Sequence, residues 1–296
     1  MAVIFRTYNP EPLFGEDYLA LRHFLIQLDD SNYHFGRWDW MITHSHLDSS
    51  GLSKIGLWAD HGEIVAAATY DCSLGGAYLP ALPGYAYLWD EMLGYAETAL
   101  VKGGKFAVLI RDGHLPLQGA AMRRGYIATQ DREQEALFDL ETGDFRYTLP
   151  EGFRVTSMRE TYDLYRYGQV LWRGFNHEQD GEGPFVMNEH FAKEFERPGV
   201  NPDLKIAVVA PNGDFVSYCG MWQDAASQSA LVEPVATDPA YRKLGLGRAA
   251  VLEGLRRCAQ LGAKRAFVGS SQQFYYAIGF RPYQSNTWWA RKPVVN

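Results

Sequence analysis

The sequence predicts an α/β chain with mixed sheets, built as two copies of one unit. Three observations carry this expectation. A β-hairpin with its downstream elements occurs twice, the order after each hairpin is strand, helix, strand, short helix and strand, and one copy leads into its central helix through a glycine loop. A strand-helix-strand step needs a crossover, which puts helices on the faces of a partly parallel sheet. With 296 residues, the chain is long enough for two ordinary domains, each with a core of its own.

The first copy opens with a strand over 3–7 and an amphipathic helix over 16–28. Residues 54–58, the turn Asp60-His61-Gly62-Glu63 and residues 64–70 read as a hairpin, because a turn-forming pair separates two apolar runs. A helix over 89–101, a strand over 105–110, a short helix over 115–124 and the pair Gly125-Tyr126 follow, and a strand over 135–140 closes the copy. The second copy repeats this order: a strand over 153–158, a helix over 161–175, then a hairpin over 204–210 and 215–222 around Pro211-Asn212-Gly213-Asp214. A helix over 248–261, a strand over 264–268, a short helix over 272–278, the pair Gly279-Phe280 and a strand over 287–291 complete it. Turn-forming residues at Glu141-Thr142-Gly143-Asp144 divide the chain into domains 1–145 and 146–296, with 149–152 as the later alternative.

Apolar residues at 47% and charged ones at 21% describe a globular chain. A formal charge of −7 argues against a surface that coats nucleic acid, while leaving room for a local basic pocket. No basic leader precedes a long apolar run and nowhere do eighteen apolar residues follow one another, so the expected location is cytoplasmic, with no membrane partner. The oligomeric expectation is a monomer or a homodimer. Cys72, Cys219 and Cys258 lie far apart within apolar segments, which predicts buried thiols. No metal site is expected, since His177, Glu178 and His190 lack a ligand spacing.

The most informative segment runs from Leu231 to Ala250 and sets a strand, a Pro-containing turn, a glycine loop and a helix in succession. A helix N-terminus presents unpaired N–H groups and partial positive charge, so a loop leading tightly into one receives phosphate. Gly245 and Gly247 let backbone donors approach closely, and Arg242, Lys243 and Arg248 add positive charge. The pattern lacks the Lys-Ser/Thr ending of a nucleoside-triphosphate loop.

The run Val235-Ala236-Thr237-Asp238-Pro239-Ala240-Tyr241-Arg242-Lys243-Leu244-Gly245-Leu246-Gly247 resembles the acyl-CoA motif of the GNAT N-acetyltransferases. Phe274-Tyr275-Tyr276-Ala277-Ile278-Gly279-Phe280 resembles their second motif. The resemblance covers the chain from about residue 150 onward and implies two tandem GNAT-like acyl-CoA N-acyltransferase domains, an arrangement similar to mycothiol synthase. It implies acetyl-CoA as co-substrate and a small-molecule amine as acceptor. The backbone of Val235, Ala236 and Thr237 would pair with the pantetheine arm, and Arg242, Lys243, Leu244, Gly245, Leu246, Gly247, Arg248 and Ala249 would hold the pyrophosphate. The Asn that the family often carries seven residues before its tyrosine is Val268 here, and Ser270 reads instead as N-cap of the short helix, with Gln273 completing a capping box.

Acyl transfer to an amine needs a neutral nucleophile, a route for its proton and an acid for the departing thiolate. Tyr275 matches the family position of that acid, the other reading being a tyrosine packed at a domain edge. For the base, Glu233 is chosen, since Leu231, Glu233 and Val235 share a strand face unless a bulge intervenes. A structural ion pair or an anchor for the substrate ammonium is the alternative role. His177 and Glu178 follow the first helix of the second copy, where the family commonly borders its acceptor pocket; the alternative is a solvated loop.

The corresponding stretch of the first copy, 79–91, has no Arg-x-x-Gly-x-Gly, and places Asp90 and Glu91 where the cations would be. This copy is expected not to bind CoA. Its aromatic segment 32–41 either lines a cleft or packs in the core. A non-catalytic acyl-CoA sensor is the competing function, to which the acid Tyr275 would be superfluous.

Overall fold

In this computed structural model, which describes residues 3–291, one order of elements runs through the chain twice. The first pass is β1 (Ile4–Thr7), α1 (Glu16–Leu28), α2 (Phe35–Met41), β2 (Gly56–Asp60), β3 (Glu63–Asp71), β4 (Ser73–Tyr78), α3 (Trp89–Ala99), β5 (Ala107–Arg111), α4 (Leu115–Arg123) and β6 (Tyr126–Asp139). The second is β7 (Arg154–Ser157), α5 (Leu164–Gly174), α6 (His190–Glu196), β8 (Lys205–Val209), β9 (Phe215–Gln223), β10 (Ser229–Thr237), α7 (Leu246–Gln260), β11 (Arg265–Val268), α8 (Gln273–Ala277) and β12 (Arg281–Arg291). The mixed α/β class is as expected. Helices α2 and α6 were not anticipated: each is two turns long, too short for its periodicity to stand out.

The hairpins form where the turns allow. Between β2 and β3, His61 and Gly62 take φ values of 51° and 90°, the positive region that a tight two-residue turn needs to match strand twist. Both meanders then pass into a parallel step, β4 beside β5 and β10 beside β11, each bridged by a helix.

The chain groups into two compact units, one formed by residues up to Glu135 with the run from Tyr283, the other by Ala136–Pro282. This differs from a division at 145/146 because the closing strands are exchanged. In the first unit the strand order is β1-β2-β3-β4-β5-β12-β6, and Thr287 of β12 registers antiparallel with Ile110 of β5. In the second it is β6-β11-β10-β9-β8-β7, with Ala136 and Phe138 of β6 against Val268 and Ala266 of β11. Of the 14 residues of β6, those up to Glu135 belong to the first unit and those from Ala136 to the second.

In the first unit α1 and α2 bury Tyr18, Phe24, Phe35, Trp38 and Met41. Within the aromatic segment 32–41, Phe35, Trp38 and Met41 are therefore core, and the buried Asp39 carboxylate accepts from the Tyr18 hydroxyl at 2.6 Å and Arg22 Nε at 3.0 Å. In the second unit α7 lays Leu246, Ala250, Val251 and Leu255 on Ile206, Met221 and Val232 of the sheet. Gly254 permits this approach, since a Cβ there would meet Met221 Cγ at 2.6 Å. Cys219 and Cys258 are buried as expected, but Cys72 is only half-buried, at the tight β3–β4 connection where its φ is 54°. No helix of the described residues is long and apolar enough to cross a membrane.

Candidate active site

The site grows from an irregularity in β10. Against β9, Val232 registers with Met221 and Val235 with Cys219, so Glu233 and Pro234 together face the single residue Gly220. This is a β-bulge. Gly220 is required opposite it, because a Cβ would lie 2.5 Å from the Glu233 carbonyl oxygen. The bulge also corrects the expected face-sharing: Val235 packs with Ala230 and Val232 on the α7 core, whereas Leu231 lies outside that cluster. Glu233 sits at the bulge itself, half-buried.

On its other side β10 pairs with β11 only from Ser229 to Leu231. The β11-facing edge of residues 232–237 therefore lacks a strand partner among the described residues, so its backbone groups are available to an extended ligand. Val235, Ala236 and Thr237 keep their β9 partners Cys219, Tyr218 and Ser217. Their packing is tight, since a Cβ on Gly174 of α5 would come within 2.6 Å of Ala236 Cβ.

Beyond Thr237 a 3-10 turn, capped by Asp238 accepting from Ala240 N–H at 2.9 Å, leads to the loop of Arg242 to Gly245. Lys243 and Gly245 have φ of 67° and 80°. Gly245 is the N-cap of α7 and offers no side-chain acceptor, and the first intrahelical bond runs from Ala249 N–H to Gly245 O at 3.0 Å. The N–H groups of Leu246, Gly247 and Arg248 are thus left at the helix mouth, where they and the macrodipole favour an anion. Gly247 has little room: a Cβ would sit 3.1 Å from Thr237 Oγ1 and 3.4 Å from the Phe274 ring.

The three cations divide their duties. Arg242 donates to Thr237 O, Gly174 O and Asn176 Oδ1 at 3.1, 2.9 and 2.9 Å, bracing the loop against the end of α5. Arg248 donates to Ala277 O at 3.2 Å and to Arg146 O at 3.4 Å, tying α7 to α8. Lys243 is exposed and makes no ion pair with the described residues. Open N–H groups, left-handed glycine and exposed lysine together fit a pyrophosphate.

Tyr275 lies on α8 with its ring against Phe274 and Phe280, at 5.0 and 5.5 Å between centroids, and is 8% exposed. Its hydroxyl has no hydrogen-bond partner among the described residues. Burial, then the Cys219 thiol and the Glu233 carboxylate, push its pKa above the ordinary 10. Ser270 does not cap α8; that position belongs to Gln272, whose N–H donates to Ser270 Oγ at 3.3 Å in a turn just before the helix.

His177 and Glu178 lie in the loop after α5 and are engaged locally. Glu178 accepts from Arg173 Nε at 3.2 Å; the His177 ring stacks on Trp172 at 4.3 Å, its Nδ1 2.7 Å from Glu182 Oε1. No group of three metal-ligating side chains occurs among the described residues.

Sequence reading missed a buried polar cluster behind the bulge. Lys205 Nζ lies 2.5 Å from Glu194 Oε1 and 3.3 Å from the centre of the Trp222 ring, both charged groups being essentially inaccessible. The Tyr167 hydroxyl donates to Glu194 Oε2. Trp222 Nε1–H in turn donates to the Glu233 carbonyl at 2.5 Å, so the cluster holds the bulge in place. Its one sequence signal is a lysine opening the otherwise apolar run Lys205–Val209.

Comparison with known proteins bears on the family and the fold. Residues 164–280 match the Acetyltransferase (GNAT) family. A GCN5-related N-acetyltransferase from Sphaerobacter thermophilus is similar over 99% of this chain and 97% of its own, at 16% identity and a TM-score of 0.57. An acetyltransferase of the GNAT family from Colwellia psychrerythraea aligns over 98% and 100%, at 10% identity and a TM-score of 0.59. A tandem GNAT protein from the clavulanic acid biosynthesis pathway aligns over 99% of both chains, at 12% identity and a TM-score of 0.55. No curated protein matches the chain. The fold is that of the GNAT acetyltransferases, and with a GNAT-family acetyltransferase domain at residues 164–280 the protein is an acyltransferase.

Proposed function

We propose that the second unit transfers an acetyl group from acetyl-CoA to the amine of a small-molecule acceptor by direct attack, and that the first unit does not bind CoA. The observation that supports this reading is the edge of β10 left unpaired beyond Leu231 in the same unit as the uncapped mouth of α7, with Tyr275 in the core cluster of Val232 and the Phe274 ring beside Gly247.

In this reading the edge of Val235, Ala236 and Thr237 binds the pantetheine arm. The N–H groups of Leu246, Gly247 and Arg248, with Lys243, bind the diphosphate, and Arg242 and Arg248 keep the loop in shape. Glu233 takes the proton of the attacking amine, directly or through a water. As the new C–N bond forms and the C–S bond breaks, the Tyr275 hydroxyl donates to the leaving sulfur. Burial disfavours the phenolate, so Tyr275 works better as a standing hydrogen-bond donor than as a group that surrenders its proton outright. His177 and Glu178 border the acceptor side and act through the loop they hold together.

The test is a screen of amine pools with labelled acetyl-CoA, read by the mass of the acylated product. A labelled amine whose formation is lost in Tyr275→Phe supports the enzyme. CoA binding with no product from any amine would favour a non-catalytic sensor.

A further inference from the structure

The acyl-transfer reading makes no use of a cavity inside the first unit. Its volume is about 60 Å³, and its polar lining comes from Asp30, Asn32, Trp89, Arg111 and His114. It lies where β4 and β5 part. These strands register at Gly76 with Ala107 and Ala77 with Val108. The chain after β4 then turns onto β3, with Ala67 N–H donating to Pro80 O and Leu82 N–H to Val65 O, each at 2.9 Å. Trp89 opens α3, Arg111 ends β5 and His114 caps α4. In the internal repeat this is the position of the β10–β11 opening, the α7 mouth and α8, and parting parallel strands are where an α/β fold leaves room for a ligand.

The chemistry of the lining is specific. Trp89 Nε1 and Arg111 Nε are buried donors, and Asn32 Oδ1 a buried acceptor, none with a hydrogen-bond partner among the described residues. His114 Nδ1 accepts the Leu117 N–H at 3.3 Å, which leaves the ring proton on Nε2 as a further donor. Burial lowers the His114 pKa and keeps the ring neutral. Another nitrogen of Arg111 pairs with Asp30, whose carboxylate also accepts the Asn32 N–H at 2.8 Å, so the guanidinium is fixed in place. Buried donors left unmade are costly, and a carboxylate answers several at once. The volume admits roughly four to six water-sized positions, which excludes CoA and suits a handful of heavy atoms.

We propose that this cavity binds a small carboxylate of two to four carbons, received by the N–H groups of Arg111, Trp89 and His114, with the Asn32 amide accepting from any hydroxyl it carries. The first unit then keeps the ligand position of the fold with a different ligand. The test uses the full chain labelled with ¹⁵N at the indoles of its eight tryptophans, the Trp89 resonance being identified by Trp89→Phe. Acetate and propionate are titrated at constant ionic strength, with chloride as the control. The Trp89 resonance should shift saturably with a millimolar midpoint, as befits so few heavy atoms, while chloride leaves it in place. Arg111→Lys should weaken binding roughly tenfold through loss of a charge-assisted bond. Ala81→Leu, which fills the cavity without touching the donors, should abolish the shift. No movement of Trp89 at about 100 mM carboxylate, far above that range, an equal shift with chloride, or an unaltered titration in Ala81→Leu would each overturn the proposal.

Discussion

The two units part their parallel strands at the same place and arm the opening in opposite ways. In the second, a left-handed Gly245 leaves the mouth of α7 without a side-chain cap, with Lys243 nearby and the N–H groups of the first turn unpaired within the helix. In the first, α3 continues directly from a 3-10 turn, with Leu88 at its cap in right-handed conformation, and its first turn carries Asp90 and Glu91. Those acids are occupied, Asp90 by Arg123 at 2.5 Å and Glu91 by Trp58 Nε1 at 2.8 Å. The topology provides a gap in both cases. Which ligand enters is decided by a few residues at the helix mouth, since a carboxylate in the first turn spends the helix field that a phosphate would otherwise use.

The largest effect expected in the second opening is on chemistry. Tyr275→Phe should lower turnover by about 10²–10³, the usual worth of one hydrogen-bond donor aimed at charge developing in the transition state, with acetyl-CoA affinity intact in calorimetry. Turnover equal to the unsubstituted protein would remove Tyr275 from the mechanism. Next comes the support behind the bulge: Lys205→Met should cost about 3–5 kcal/mol in urea unfolding, because Glu194 is left charged and buried. Lys205→Met with Glu194→Leu should recover much of that loss, and a double variant as unstable as the single one would show that the ion pair is not the reason.

A smaller effect belongs to the loop itself. Gly245→Asp places an acid at a left-handed position facing the diphosphate, and should weaken acetyl-CoA binding by about 10–100-fold through lost charge-assisted bonds. The matching change in the first unit, Asp90→Ala, should leave acetyl-CoA affinity within error; a clear change there would mean that both openings serve CoA. The smallest signal is in pH. Burial first, then Cys219 and Glu233, raise the Tyr275 pKa, so its protonated form persists through the ordinary tyrosine value. The stability it contributes is complete below about pH 10, and is lost only as pH climbs through the higher folded value. Hence kcat/KM should show no Tyr275-dependent fall between about pH 8 and 10. A falling limb in that window that vanishes in Tyr275→Phe would contradict the burial assigned to this phenol.

Much of this was legible in the chain because it is local. Helix α1 occupies the expected 16–28, and the repeat places α3, α4, α7 and α8 within a few residues of their expected ranges. The glycine loop, its left-handed residue and the helix it opens follow from contiguous chemistry. The roles of Arg242 and Arg248 were harder to see, since both are cations beside the glycine loop and only their neighbours Gly174, Asn176 and Ala277 show them acting as braces. Periodicity suggested that Glu233 and Val235 share a face, and one extra residue opposite Gly220 undid it.

By itself, then, the sequence determined the order of the longer elements, the mixed α/β class and the glycine turn that opens α7 at Gly245, all of which depend on backbone preferences and side-chain spacing within a few residues. Tertiary structure alone decided that Ala136–Asp139 closes one unit and 286–290 the other, that Glu194 meets Lys205 behind the bulge, and that Tyr275 is buried against Phe280. A strand carries no local record of which edge it will join, and a buried charge none of the partner that will neutralise it. Both are settled by which arrangement leaves the fewest polar groups unpaired once the core has closed.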